Sequence, residues 1–396
     1  MTNRELFFRH LGQTSTSPLA IEIVRAEGYY IYTAENRRLI DFISGIAVSN
    51  LGHGQPVVTR AIAEQASKNL HLMVYGELVQ KPQVALAEKL ASLLPASLSS
   101  FYFVGSGSEA AEGALKLAKR YTGRTDLVAF RDAYHGSTQG ALSVCGNEQL
   151  KNAFRPLLPG VTILEFGNAG ELDRINEKTA AVIAEPIQGE AGVRIPSSEF
   201  LVQLRKRCTE TGALLIFDEI QSGFGRTGKM FSFEHFGVIP DILLLGKALG
   251  AGMPLGAFVA APDVMSSLTH DPPLGHITTF GGHPVSCAAA LAGLELLVNE
   301  NMAAHAEAMG KLIIDKLHHP FIREIRGKGL FLSIEMPGED FNRDVISRCI
   351  QKGLLTDWFL FAPHCMRIAP PLTIDAKGIG EACRAILGAI SEAGGK

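Results

Sequence analysis

Lys247 stands between the apolar run Ile242-Leu-Leu-Leu245 and a chain of glycines at Gly246, Gly250, Gly252 and Gly256. A lysine is costly to bury, and desolvation lowers its pKa, so a neutral amine becomes available to condense with an aldehyde as a Schiff base. A lysine at a strand end also snorkels into solvent. Taken alone, Lys247 fits either role.

Three earlier stretches bear on the choice. Phe101-Tyr-Phe-Val-Gly-Ser-Gly-Ser-Glu-Ala-Ala110 runs from an apolar strand through a Gly/Ser turn into a helix. Free N–H groups and the positive helix end, with the hydroxyls of Ser106 and Ser108 around Gly107, suit an anion such as a phosphate. The spacing Gly105-x-Gly107-x-x-Ala110 also imitates a dinucleotide fingerprint, with Asp126 placed for a ribose hydroxyl. Ala181 to Gly192 carries Glu185 and Glu190 at the carboxyl end of a second apolar run. Leu214-Leu-Ile-Phe-Asp218-Glu219 ends a third in two acids, either a magnesium ligand or a cap.

An anion-binding helix start, an acid able to keep a pyridine nitrogen protonated, and a lysine at a further strand end are together what pyridoxal 5'-phosphate requires of a protein. A dinucleotide-dependent dehydrogenase accounts for the first feature alone. A P-loop needs a Gly-Lys-Ser/Thr that the chain lacks.

The elements that must position these residues are short apolar strands alternating with helices, the pattern of an α/β fold with a mostly parallel sheet covered on both faces. Strands are expected at 101–104, 127–130, 140–144, 161–164, 181–184, 214–217, 242–245 and 257–260. Helices are expected at 57–68, 82–94, 109–120, 200–211 and 284–299. Residues 21–32 read as a hairpin, and 325–335, 354–360 and 366–368 as an antiparallel group. This gives an N-terminal segment, 1–50, that joins a small α+β domain, a large cofactor domain, 51–296, and a C-terminal small domain, 297–396.

With 396 residues, 46% hydrophobic and a net charge of -3, the chain can bury ample core and has no electrostatic footprint for nucleic acid or an anionic membrane. Met1 to Leu11 is interrupted by Arg4, Glu5 and Arg9, unlike a signal peptide or membrane span. The six cysteines form no CxxC pair, which fits reduced thiols, no structural metal and a cytoplasmic location.

The series Ile40-Asp-Phe-Ile-Ser-Gly-Ile46, Gly105-Ser-Gly-Ser-Glu-Ala110, Tyr134-His-Gly136, Glu185-Pro-Ile-Gln-Gly-Glu190, Phe217-Asp-Glu-Ile-Gln-Ser-Gly-Phe-Gly-Arg-Thr-Gly228, Lys247, Thr278-Thr-Phe-Gly-Gly-His-Pro284 and Arg367-Ile-Ala-Pro-Pro-Leu372 resembles the class III, ω-amino-acid type aminotransferases of fold type I, the group of ornithine, acetylornithine and 4-aminobutyrate enzymes. The resemblance covers nearly the whole chain. It implies that Lys247 bonds the cofactor and shuttles a proton, that Asp218 holds the ring nitrogen, and that Ser106, Gly107 and Ser108 bind the phosphate. Tyr134 would stack on the ring, with His135, Glu185 and Gln221 close to it. Thr279 would reach the phosphate of a neighbouring subunit, making a homodimer with shared active sites.

For substrates, the resemblance assigns Arg367 to an α-carboxylate and Glu190 to pairing with that arginine when no such carboxylate is present. This implies transfer of an amino group from an ω-amino acid or amine to 2-oxoglutarate, by a ping-pong route through pyridoxamine phosphate. A mutase, racemase or phospho-lyase on the same scaffold is the alternative. Ser137 stands where the ornithine, acetylornithine and 4-aminobutyrate enzymes usually carry an arginine, and a serine cannot supply its charge. Either Arg131 or Arg155 replaces it, or the donor lacks a second carboxylate. Ile46 replaces a tyrosine of ornithine enzymes, and Tyr75 is expected at the pocket entrance.

Overall fold

The computed structural model describes residues 1–74 and 76–395. Its strands, in chain order, are β1 (Ile23–Glu27), β2 (Tyr30–Thr33), β3 (Arg38–Asp41), β4 (Ser100–Val104), β5 (Asp126–Phe130), β6 (Val161–Leu164), β7 (Thr179–Ala184), β8 (Leu214–Asp218), β9 (Ile242–Leu245), β10 (Gly256–Ala260), β11 (Glu324–Lys328), β12 (Phe331–Glu335), β13 (Leu354–Leu355), β14 (Trp358–Phe359) and β15 (Ala362–Ile368).

The central sheet has the order β4-β10-β9-β8-β7-β5-β6. β10 is antiparallel to both its neighbours, while the β9–β8, β8–β7, β7–β5 and β5–β6 pairs are parallel. The carboxyl ends of β4, β5, β7, β8 and β9 therefore lie along one edge. Strands β7 to β10 are buried along their whole length, as uninterrupted apolar runs in a sheet covered on both faces should be. Cutting back a central side chain such as Leu244 would cost about 2–5 kcal/mol.

The helix Gly107–Thr122 lies against the sheet through Ala110, Ala111, Ala114 and Leu117. It starts at Ser106, whose Oγ accepts from Glu109 N at 3.2 Å, and stops at Gly123 in the left-handed conformation. Helices at Pro56–Lys68 and Ser198–Thr211 match the periodicity to within two residues, and Pro284–Asn299 matches it outright. The helix expected to 94 ends at Ala91.

Two expectations are corrected. Gly140–Val144 is not a strand but part of the helix Gln139–Val144. Glu112 of the neighbouring helix accepts from Gly140 N at 2.7 Å and Ala141 N at 3.1 Å, satisfying the helix start with a partner the local sequence does not contain. Residues 354–360 are not one strand of an antiparallel group: β13 pairs in parallel with β3, and β14 pairs with β15. Asp357 lies at the break.

The remaining sheets have the orders β1-β2-β3-β13 and β11-β12-β15-β14. Through β13 the residues near the C-terminus complete the N-terminal sheet. Among the described residues, no helix is long and apolar enough to cross a membrane.

Candidate active site

The sheet's carboxyl edge opens into a cavity of about 200 Å³ lined by Ser106, Gly107, Ser108, Tyr134, His135, Gly136, Glu185, Asp218, Ile220, Gln221, Ser222 and Lys247. Nine residues proposed from the sequence for cofactor contacts, from the ends of five strands, thus meet in one place. Asp126 begins β5 at the opposite edge, so it cannot serve a ligand held at Gly105, and the dinucleotide reading fails.

Lys247 follows β9 after Gly246 and has φ 47°, a left-handed conformation that a side-chain-bearing residue adopts at a cost of roughly 1–2 kcal/mol. Strain of this kind is held in place at functional positions. Burial lowers the amine pKa. Glu190, Asp218 and Glu185 oppose that effect and Arg367 adds to it, and the net direction is downward.

Asp218, buried at the end of β8, accepts from Ile220 N at 3.0 Å through Oδ1, and its Oδ2 lies 2.7 Å from His135 Nδ1. A carboxylate in that position selects the Nδ1–H tautomer of a neutral imidazole. His135 Nε2 is then a buried polar atom with no partner among the described residues. Glu219, the neighbouring acid, accepts from Ser232 N and Phe233 N, both at 2.6 Å. It is a cap, which decides between the two roles open for this pair.

Glu185 accepts from Tyr134 N at 3.1 Å and Gly189 N at 2.7 Å, and burial pushes its carboxyl up to about 7. It orders the backbone of the Tyr134 loop. Tyr134 Oη and Ser137 Oγ are 3.1 Å apart, and Ser137 N donates to Ser108 Oγ at 3.2 Å. Ser137 thus ties the aromatic residue to the helix start. Neither proposed substitute for the missing arginine is free: Arg131 is paired with Glu165 and Arg155 with Glu148, at exposed positions.

Gln221 donates to Glu190 Oε1 at 3.2 Å, linking the cavity to a second group. Arg367 donates Nη1–H to Glu190 Oε1 and Nη2–H to Glu190 Oε2, each at 3.0 Å, in a buried bidentate pair. Burial alone would raise the Glu190 carboxyl, but the Arg367 charge outweighs it and holds it below the usual range.

Ile46 lies in the turn Ser44–Ala47, which packs against the Lys247 turn; Ser44, Gly45, Ile46 and Ala47 all have positive φ. Three buried bonds brace this segment: Ser44 Oγ donates to Ala369 O at 2.6 Å, Ser44 N donates to Asp41 Oδ1 at 2.7 Å, and Arg226 Nη2 donates to Ser44 Oγ at 3.2 Å. Arg226 is fully buried and also donates to Pro370 O at 2.6 Å and Leu330 O at 3.0 Å. It fastens the turn to the segment following Arg367, a role that sequence reading missed.

Thr279 is not brought to this cavity. It lies exposed on a loop, its carbonyl 2.8 Å from His71 Nε2. Tyr75 falls outside the described residues.

A mostly parallel sheet with a strained lysine, a buried aspartate and an open helix start at its carboxyl edge defines a pyridoxal-phosphate enzyme of fold type I. The family model for class-III aminotransferases matches residues 11–390, and the chain belongs to that family. It is 38% identical over 400 residues, spanning 100% of both chains, to an acetylornithine aminotransferase of Methanopyrus kandleri. It is similar to the ornithine aminotransferase of Toxoplasma gondii at 30% identity and a TM-score of 0.91, covering 99% of this chain and 95% of that one. An amine transaminase from an uncultivated Pseudomonas species, solved with pyridoxal phosphate bound, is similar at 27% identity and a TM-score of 0.89, covering 97% and 98%.

The site residues fit this cofactor. The N–H groups of Gly107 and Ser108, at the helix start, have no acceptor among the described residues, as an arriving phosphate requires. Asp218 would offer a carboxylate to a ring nitrogen, and Lys247 would offer an amine of lowered pKa to an aldehyde.

Proposed function

We propose that this aminotransferase takes the amino group of an ω-amino acid or simple amine and passes it to 2-oxoglutarate in two half-reactions. When bound, pyridoxal phosphate supplies the electron sink that makes the donor's amine-bearing carbon acidic. Lys247 Nζ takes and returns the proton at that carbon, and its lowered pKa supports that role. Asp218 keeps the proton on the ring nitrogen, with His135 fixing the orientation of its carboxylate. Gly107, Ser108 and Ser106 hold the phosphate, Tyr134 covers the ring, and Gln221 lies beside it.

One observation carries the choice of substrates: the buried bidentate pair of Arg367 and Glu190. Arg367 receives the α-carboxylate of 2-oxoglutarate or glutamate. Glu190 neutralises Arg367 when the donor brings no carboxylate there. The Tyr134–Ser137 hydroxyl pair supports a donor without a second carboxylate, since no arginine occupies position 137.

The two-unit division, with 51–296 carrying the cofactor and 297–396 together with 1–50 carrying Arg367 and Ile46, is supported by the β3–β13 pairing. A homodimer is the proposed assembly: Thr279 stands exposed beside Ile277 and Phe280, which are 52% and 61% exposed, so it is available to a second subunit's phosphate. Six buried free cysteines support a reducing, cytoplasmic setting.

Incubating the purified enzyme with a donor panel and 2-oxoglutarate tests this reading. Glutamate should accumulate. The mutase, racemase and phospho-lyase alternatives produce none.

A further inference from the structure

Arg367 has two carboxylate partners. Glu190 takes the outer edge of the guanidinium, Nη1 and Nη2. Asp357 Oδ1 accepts from Nε on the inner edge at 2.7 Å. One face of the guanidinium lies 4.3 Å from the centre of the fully buried Phe359 ring. The backbone is fixed at the same place: Arg367 N donates to Asp357 O at 2.9 Å, and Thr356 Oγ1 donates to Arg367 O at 2.6 Å. The Arg367 side chain is 2% exposed, Glu190 6% and Asp357 24%.

These contacts are not equivalent. An incoming carboxylate needs both Nη groups, so it competes with Glu190 and leaves the Nε bond untouched. Swinging the arginine away would break the Asp357 bond, the Phe359 stack and the Nη2 donation to Trp358 O at 3.2 Å. Moving Glu190 breaks none of them. We propose that Asp357 is a positioning residue that holds Arg367 stationary by its Nε edge, so that Glu190 alone moves when substrates alternate. The proposal rests on the assignment of Arg367 to the acceptor's carboxylate. It adds that the arginine stays in place throughout the cycle, confining donors to those that fit beside a fixed guanidinium.

The test uses the cofactor-loaded enzyme and glutarate, an unreactive dicarboxylate, with affinity read by calorimetry. Asp357→Ala should bind glutarate about tenfold more weakly, the loss of one charge-assisted hydrogen bond. Asp357→Asn keeps an oxygen acceptor for Nε and should restore affinity to within about threefold of wild type. The half-reaction with an amine donor lacking an α-carboxylate, followed by loss of the cofactor's visible absorbance, should change by less than about twofold in both variants, since that donor leaves the arginine unused. Glutarate affinity that is unchanged or tighter in Asp357→Ala overturns the proposal, and so does an equal loss in both variants, which would make the charge and not the direction of the bond decisive. Glutamate formation by wild type checks the underlying assignment separately: its absence defeats the acceptor reading, whereas its presence with an indifferent Asp357→Ala defeats only the positioning role.

Discussion

Asp218 Oδ2 lies 2.7 Å from His135 Nδ1 inside the sheet's carboxyl edge, and both side chains are buried. The pair turns a strand-end acid into a carboxylate of fixed direction. Asp218→Asn keeps the shape and removes the charge. Turnover should fall by about 10²–10³-fold, the usual cost of deleting a preorganised electrostatic partner, with the protein still folded by circular dichroism. Turnover within a few-fold of wild type would remove Asp218 from its assigned role.

Ser137 sets the second prediction. Ser137→Arg restores a cation beside Tyr134 and should raise kcat/KM for 4-aminobutyrate by about tenfold or more, one charge-assisted carboxylate contact, while a simple amine gains nothing. Wild type that already uses 4-aminobutyrate or acetylornithine as well as it uses simple amines would show that the missing arginine does not govern donor choice.

Glu190→Gln unlocks the pair with Arg367. Breaking a buried ion pair costs roughly 3–5 kcal/mol when the remaining charge is uncompensated; Asp357 remains, so thermal unfolding should show a smaller loss. Steady-state kinetics should show kcat/KM falling for amine donors and holding for glutamate. An equal fall for both would mean that Glu190 supports the fold without discriminating substrates.

Stability should carry a signature of Glu219. Burial raises its carboxyl from 4.5 to about 7, so the folded state binds the proton more tightly than the unfolded chain does. Its contribution is fully present below about pH 4.5 and is lost as pH rises through 7, with a slope of about 1.4 kcal/mol per pH unit between. Glu219→Gln should flatten the apoprotein's unfolding free energy over that window relative to wild type. Parallel pH profiles would show that Glu219 does not titrate there.

Much of the site was legible because its signals are local. The glycines around Lys247, the acid closing the apolar run at Asp218 and the Gly/Ser turn before Glu109 each state their geometry within a few residues. What was not legible depends on partners distant in sequence. Gly140–Val144 reads as a strand until Glu112 supplies its helix start. Arg226 appears as one residue of a glycine-rich stretch, and only the folded chain shows it bonded to Ser44, Leu330 and Pro370. Asp357 carried a weak signal, a lone acid inside the apolar run 354–360, but its purpose required Arg367 of the adjoining strand. Thr279 lies exposed on a loop away from the cavity, and its proposed role calls on a second subunit.

Lys247 is the lysine proposed to carry the cofactor. Reduction of the loaded enzyme with borohydride, followed by peptide mass spectrometry, fixes the label on whichever lysine is attached. The label should fall on the peptide containing Lys247, with none on Lys247→Ala, which should also be inactive. A label on another lysine, such as the buried Lys151, or full activity in Lys247→Ala, would contradict that assignment.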